Sequence, residues 1–325
     1  MSDERDLIIV GGGPAGLAAA IAARQAHLDY LLLEKGALVH SIFRFPRNMV
    51  FFTTPELLEI GGLPFVTPYE KPTRIEALRY YRRVADTYGL RIDFDRKVEV
   101  VERNGSGFRV RTASGAYAAR FVVLAIGYYD NPNLLGIPGE DLPQVSHYYS
   151  EPHPYYRKRV VVVGGKNSAA IAALELFRAG ARVVLVHRRD RLSDSIKYWI
   201  RPDIENRIRE GSIEARFETR VVEIRPGSVT VERAGAREDL AADGVFLLSG
   251  YHPDTGLLEG AGVRIDPLTL APEHDPESFE TNVPGLYVAG AAVTGKETGR
   301  IFIENGRFHG ETIVGRMVER LRGAG

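Results

Sequence analysis

The sequence predicts an α/β protein built on two Rossmann-like units, and three observations carry that prediction. Two glycine-rich turns, 11–16 (GGGPAG) and 164–169 (GGKNSA), each follow a continuous apolar run and open an alanine-rich stretch. A polar residue closes the next apolar run at the same distance from each turn: Gly11 to Glu34 spans 23 positions, and Gly164 to His187 spans 23 again. Each unit is answered downstream by an apolar run ending in glycine, 121–127 (FVVLAIG) and 245–250 (VFLLSG). At 325 residues the chain has room for about two domains of ordinary size.

Residues 6–10 (DLIIV) read as a strand buried on both faces of a parallel sheet. Gly11, Gly13 and Gly16 follow at G-x-G-x-x-G spacing, with Pro14 and Ala15 leading into a helix at 17–24. Gly11 permits the tight turn, Gly13 lets the backbone approach a pyrophosphate, and Gly16 lets helix and strand pack closely. The helix N-terminus offers unpaired N–H groups to the phosphates. Residues 30–33 form the second strand, closed by Glu34 and Lys35. Glu34, 18 residues past Gly16, is placed to accept hydrogen bonds from a ribose diol.

The second unit repeats this order. A strand at 159–163 leads into Gly164, Gly165, Lys166, Asn167, Ser168 and Ala169, then a helix at 170–179 and a strand at 181–186. Lys166 replaces the middle glycine, so it either adds charge beside the pyrophosphate or narrows the approach. Asn167 and Ser168 supply side-chain donors at the helix start. His187, Arg188 and Arg189 stand where Glu34 stood. Glu34 would repel a 2′-phosphate, whereas paired guanidinium groups can grip one in bidentate fashion. The repeat resembles that of two-dinucleotide flavoproteins, with FAD in the first unit and NADPH in the second.

With the repeat in place, the whole chain resembles the low-molecular-weight thioredoxin-reductase-like flavoproteins. The stretches GGGPAG (11–16), FVVLAIG (121–127), IPGEDLP (137–143), VHRRD (186–190) and NVPGLYVAG (282–290) carry the resemblance in order. Residues 51–65 (FFTTPELLEIGGLPF) and 301–310 (IFIENGRFHG) are more similar to the bacillithiol-disulfide reductases (YpdA-like) within that group. The resemblance implies two three-layer ββα dinucleotide domains, the NADPH domain (129–251) inserted into a discontinuous FAD domain (1–128 and 252–325). It implies that Thr53 and Thr54 lie along the flavin edge and that Val98 meets the adenine with backbone groups. Gly127, Gly290, Ala291 and Ile301 belong to the implied FAD site, and Gly250 to the implied NADPH site. Phe51 and Phe52 read equally as flavin shields or as plain core. Residues 301–321 read as one closing helix aimed at the flavin, and residues 98–120 as hairpins of a small side sheet.

Three departures from the family pattern matter. Where thioredoxin reductases carry C-x-x-C, residues 145–154 read VSHYYSEPHP. An aspartate after A-G is replaced by Ala291, and a cysteine found in some bacillithiol-reductase relatives is replaced by Ala15. His147 and Tyr148 are therefore the weak candidates for a catalytic role, as a proton donor and a flavin cap (with His153 and Tyr149 beside them). A surface loop is the stronger account of the histidines, and packing accounts equally for the tyrosines.

Composition excludes more than it assigns. The chain has no cysteine, which removes disulfide staples, thiolate metal sites and any resident dithiol. Forty-two basic residues balance 42 acidic ones, arguing against a nucleic-acid or polybasic membrane footprint. No metal spacing emerges among the eight histidines. Residues 1–6 lack a basic leader, and no apolar run approaches the roughly 20 residues of a bilayer span. A cytoplasmic protein is expected, and family relatives imply a homodimer.

The expected activity is an NADPH-dependent FAD oxidoreductase that passes hydride onward to a low-molecular-weight disulfide without a protein thiol. The alternatives are a ferredoxin- or flavodoxin-NADP reductase, whose partner is a small electron-carrier protein, and a flavin-based NADPH sensor.

Overall fold

The computed structural model describes residues 4–323. The expectation of no leader at residues 1–6 falls partly on residues 1–3, outside the described residues. The chain forms two compact units, Met1–Asn131 with Tyr251–Gly325, and Pro132–Gly250.

The first unit opens with β1 (Arg5–Val10), α1 (Pro14–Gln25), β2 (Tyr30–Leu33), α2 (His40–Arg44), α3 (Arg74–Thr87) and β3 (Ile92–Asp93). Pro14 begins α1, where a missing N–H costs nothing, and eight of the helix's twelve residues are buried. The Thr73 hydroxyl accepts from Glu76 N–H while the Glu76 carboxylate accepts from Thr73 N–H, a reciprocal cap that starts α3. A meander follows: β4 (Val98–Asn104), β5 (Gly107–Thr112) and β6 (Gly115–Leu124).

In the second unit β7 (Val145–Ser146), β8 (Arg159–Val163), α4 (Asn167–Arg178), β9 (Arg182–Val186), α5 (Arg201–Arg209) and β10 (Glu214–Arg216) precede a meander. The meander is β11 (Arg220–Arg225), β12 (Ser228–Arg233) and β13 (Ala236–Ala241), and β14 (Gly244–Leu247) ends the unit. The chain then returns to the first unit with α6 (Thr255–Gly260), β15 (Leu286–Val288), α7 (Ile303–Gly306) and α8 (His309–Gly323).

The two parallel sheets share a plan. Strands run β3-β2-β1-β6 with β15 beside β6 in the first unit, and β10-β9-β8-β14-β7 in the second. The alternating faces of β1 divide the first core. Leu7 and Ile9 join the cluster of α1, α3 and α8, while Ile8 and Val10 join that of the meander and α6. In the second unit Val161, Val245 and Leu247 pack against meander residues such as Val229 and Val231. Each sheet is thus covered by helices on one side and by β-structure on the other, the three-layer ββα arrangement.

Three expectations change. Residues 98–120 do not make a separate side sheet: β6 is one ten-residue strand. Its first half pairs antiparallel with β5, and its second half pairs parallel with β1 and β15. The closing segment is two helices, α7 and α8, broken at Arg307 and Phe308. Two close approaches flank the break: a Cβ at Gly306 would lie 3.3 Å from Gly290 Cα, and one at Gly310 would strike the backbone of Ala18 and Ala19. Finally, residues 129–131 and 251 belong to the first unit rather than the second. Tyr129 and Tyr251 pack with ring centres 4.7 Å apart, and His252 N–H donates to Asn131 O at 2.9 Å.

Candidate functional site

The first turn, between β1 and α1, is closed by contacts that leave no room for side chains. Gly11 has φ +107°, and a Cβ there would lie 2.5 Å from Ala125 O. A Cβ at Gly16 would land on the Gly11 carbonyl oxygen, so helix and strand meet at backbone distance. In front of Gly13 nothing lies within 4 Å, and no side chain caps α1 there. The N-terminus of α1 is therefore left without a side-chain cap, an arrangement suited to a pyrophosphate.

Glu34 is buried and accepts from Gly12 N–H at 2.6 Å and from Gly36 N–H at 2.8 Å, one bond on each oxygen. A carboxylate with one acceptor site left on each oxygen fits a ribose diol. Arg96 N–H donates to Glu34 O at 2.9 Å, which brings the strand start at Val98 to the same edge. Lys35 is drawn elsewhere: its ammonium lies 2.8 Å from Asp130, which also pairs with Arg44 at 3.1 Å.

Part of the expected set meets at the same turn. Ala15 faces Gly290, where a Cβ would approach Ala15 Cβ to 2.7 Å, and Ile301 packs over Gly306 beside it. Ala291 follows in a short turn, Gly290–Thr294, and Gly127 has φ +62° two residues beyond Ala125. Thr53 and Thr54 precede the short helix Pro55–Leu58, and Arg307 donates to the Glu56 and Glu59 carbonyls at 2.7 and 2.6 Å. The segments 51–65 and 301–310 are thereby joined. The Thr54 hydroxyl bonds Glu56, holding that carboxylate below its usual range, so Thr54 is not simply presented outward. Phe51 is core, 6% exposed and edge-on to Phe45, which settles its reading.

The second turn, between β8 and α4, repeats the first in detail. Gly164 lies against Leu248 O as Gly11 lies against Ala125 O. A Cβ at Gly12 would meet the Glu34 carboxylate, and one at Gly165 would fall inside the His187 ring. His187 thus sits over its turn as Glu34 sits over the first. Burial, with Arg189 and Arg188 nearby, lowers its pKa and keeps the ring neutral, and its Nε2 is buried with no hydrogen-bond partner among the described residues. An orphaned ring nitrogen beside the turn fits a ligand hydroxyl or phosphate oxygen. Arg188 and Arg189 are exposed.

Lys166 adopts the extended conformation that Gly13 adopts, so it does not distort the turn, and its side chain is exposed. Ser168 is exposed and Ala169 is buried. Asn167 is not the free donor expected, because its amide holds a neighbouring loop through Ser195 O at 3.2 Å and Lys197 N at 2.9 Å. Gly250, φ +94°, lies two residues beyond Leu248.

The segment replacing the dithiol is tied into the second unit. Tyr149 is 4% exposed, donates to Glu175 at 2.7 Å and packs edge-on to Phe246, so it is core rather than a flavin cap. His147 Nε2 lies 3.5 Å from Glu140, and Tyr148 N–H donates to Ser146 Oγ at 3.1 Å. His153 is exposed.

Sequence reasoning missed His309. Its Nδ1 accepts from Gly290 N–H at 3.1 Å, its ring stacks on Phe279 at 4.0 Å, and burial lowers its pKa to about 4. No spacing in one sequence links positions 290 and 309. Among the described residues no group of acids, histidines or cysteines is arranged to hold a metal ion, and no helix is long and apolar enough to cross a membrane.

The family model described as pyridine nucleotide-disulphide oxidoreductase matches residues 8–290. The chain is 45% identical over 316 residues to a bacilliredoxin reductase of Bacillus subtilis, covering 96% of this chain and 97% of that one. The solved bacillithiol disulfide reductase of Bacillus cereus superposes with a TM-score of 0.95 at 42% identity, covering 98% of this chain and all of that one. The Staphylococcus aureus counterpart gives 0.94 at 39% identity, covering 98% and 99%.

Proposed function

The chain belongs to the pyridine nucleotide-disulphide oxidoreductase family, and from that premise we propose that it carries electrons from NADPH through FAD to a low-molecular-weight disulfide of the bacillithiol type. It is an oxidoreductase that uses FAD and NADPH. The observation that carries the cofactor assignment is the inversion of charge over two matching turns, Glu34 on Gly12 and the neutral His187 with Arg188 and Arg189 on Gly165. The names given to two solved relatives, 42% and 39% identical over nearly the whole chain, support the substrate class.

When bound, FAD supplies the hydride acceptor and the two-electron store, and NADPH the hydride. The protein's residues bind and orient. In this reading the N–H groups opening α1 hold one pyrophosphate and those opening α4 the other, with Glu34 on a ribose diol and Arg188 and Arg189 on a 2′-phosphate. Ala15, Gly290 and Gly306 keep the floor of the first turn at backbone height, and Arg307 fixes the segment that bears Thr53 and Thr54. No cysteine is present, so electrons reach the disulfide without a protein thiol. A homodimer working in the cytoplasm completes the reading, supported by the family resemblance.

The test is anaerobic mixing with NADPH, which should bleach the visible flavin band, followed by an acceptor screen. NADPH consumption should rise with bacillithiol disulfide above cystine and glutathione disulfide; no rise above the oxidase background rejects the substrate. The missing thiol favours a second reading, a reductase of ferredoxin or flavodoxin, marked by cytochrome c reduction that depends on the added carrier. Bleaching by NADPH with no acceptor giving turnover would point instead to an NADPH sensor.

A further inference from the structure

We propose that residues 190–200 form the outer wall of the second dinucleotide turn and that Trp199, exposed on that wall with Tyr198 and near Lys197, stacks on a base of the bound NADPH. The inference rests on the reading that this turn holds NADPH.

The segment is fixed to the turn itself. Ser193 N–H donates to Gly165 O at 2.9 Å, and Lys197 N–H donates to Asn167 Oδ1 at 2.9 Å. Asn167 Nδ2 returns a bond to Ser195 O at 3.2 Å, and Arg201 donates to Ser193 O at 2.7 Å from the start of α5. Beneath these bonds Leu192, Ile196 and Ile200 are buried. Asn167, expected from sequence as a phosphate donor, is thus the clasp that holds the wall.

A segment anchored this firmly and already burying three aliphatic side chains nevertheless presents its aromatics outward. Tyr198 is 81% exposed and Trp199 is 39% exposed, with their rings edge-on at 4.8 Å. The Lys197 ammonium lies 5.9 Å from the Trp199 ring centre. An indole with an ammonium over one face, on a segment bonded to Gly165 and Asn167 of the turn, matches a planar base on the other face and its adjoining phosphate near the ammonium. Stacking of this kind tolerates different bases, because every base has a π-face. It is therefore independent of the 2′-phosphate, which Arg188 and Arg189 would read.

Trp199 is the only tryptophan in the chain, so its emission reports the contact directly. The flavin-loaded protein is titrated with NADP+ and with NAD+ while tryptophan emission is followed, and the dissociation constants are measured in parallel by calorimetry. Saturable quenching is expected on addition of NADP+. Trp199→Ala should raise the Kd for NADP+ and NAD+ by the same factor, roughly tenfold, the order of one base-stacking contact. Trp199→Phe keeps a ring and should stay within about twofold of the parent. Arg189→Ala should weaken NADP+ alone and leave the quenching at saturation unchanged. Asn167→Ala, which frees the clasp, should raise both constants with Trp199 intact. NADP+ binding by calorimetry with unchanged tryptophan emission, or an unchanged Kd in Trp199→Ala, would overturn the proposal. Absence of any NADP+ binding in the parent protein would overturn the underlying assignment of the turn as well.

Discussion

His309 shows how one side chain can set the acid limit of a cofactor turn. Its neutral Nδ1 accepts from Gly290 N–H, and a protonated ring has no acceptor to offer there. Burial, with His274 nearby, lowers the folded pKa to about 4, below the unfolded value of about 6.5. The neutral form is favoured by folding, so this stabilisation is complete above pH ~6.5 and lost as pH falls toward 4. The full difference is on the order of 3 kcal/mol. Melting temperatures from pH 7.5 down to 4 should therefore fall more steeply for the parent than for His309→Asn, which keeps an acceptor and does not titrate. Parallel curves would assign the acid sensitivity elsewhere. At the second turn, Arg189→Ala should raise the Kd for NADPH roughly ten- to a hundredfold, the worth of one charged hydrogen bond, and leave NADH unchanged. Equal loss for both nucleotides would remove the 2′-phosphate from Arg189.

At the scale of elements, helix contacts at backbone distance hold the first turn in place. Gly310 opens α8 against Ala18 and Ala19 of α1, and a Cβ there would come within 2.7 Å of the Ala18 carbonyl carbon. Gly310→Ala must push α8 away from α1, and with it the His309 ring that serves Gly290. Overpacking of this kind costs about 1–3 kcal/mol. A lower melting temperature together with faster loss of bound flavin is the expected result, read by thermal unfolding and by flavin release on dilution. A melting change with full flavin retention would separate the helix contact from the turn. The residue pattern at 301–321 gave apolar positions at helical spacing, yet it could not reveal this break, because Gly306 and Gly310 are set by what lies across from them.

For the whole molecule, the absence of cysteine makes a direct prediction. Pretreatment with iodoacetamide or N-ethylmaleimide, removed before assay, should leave NADPH-driven turnover unchanged. Inactivation would contradict a thiol-free route. Both units use one plan, a parallel sheet with helices on one face and β-structure on the other, and each keeps its glycine turn at the carboxyl ends of its central strands. The units differ in origin of the fifth strand: β15 reaches the first sheet only after the chain has completed the second unit, whereas β7 enters the second sheet before its turn.

Short-range chemistry was legible in the sequence alone. The paired turns, the strands 30–33 and 159–163, the acid at Glu34 and the bases at His187–Arg189 follow from local pattern, because backbone geometry and residue charge act within a few positions. The tertiary structure decided what depends on distant partners. It buried Tyr149 against Phe246, turned Asn167 from phosphate donor to loop clasp, joined Lys35 to Asp130 and set His309 beneath Gly290. These contacts link residues from 19 to 97 positions apart, and a side chain's partner at that range is fixed by packing, which no periodicity in a single sequence encodes.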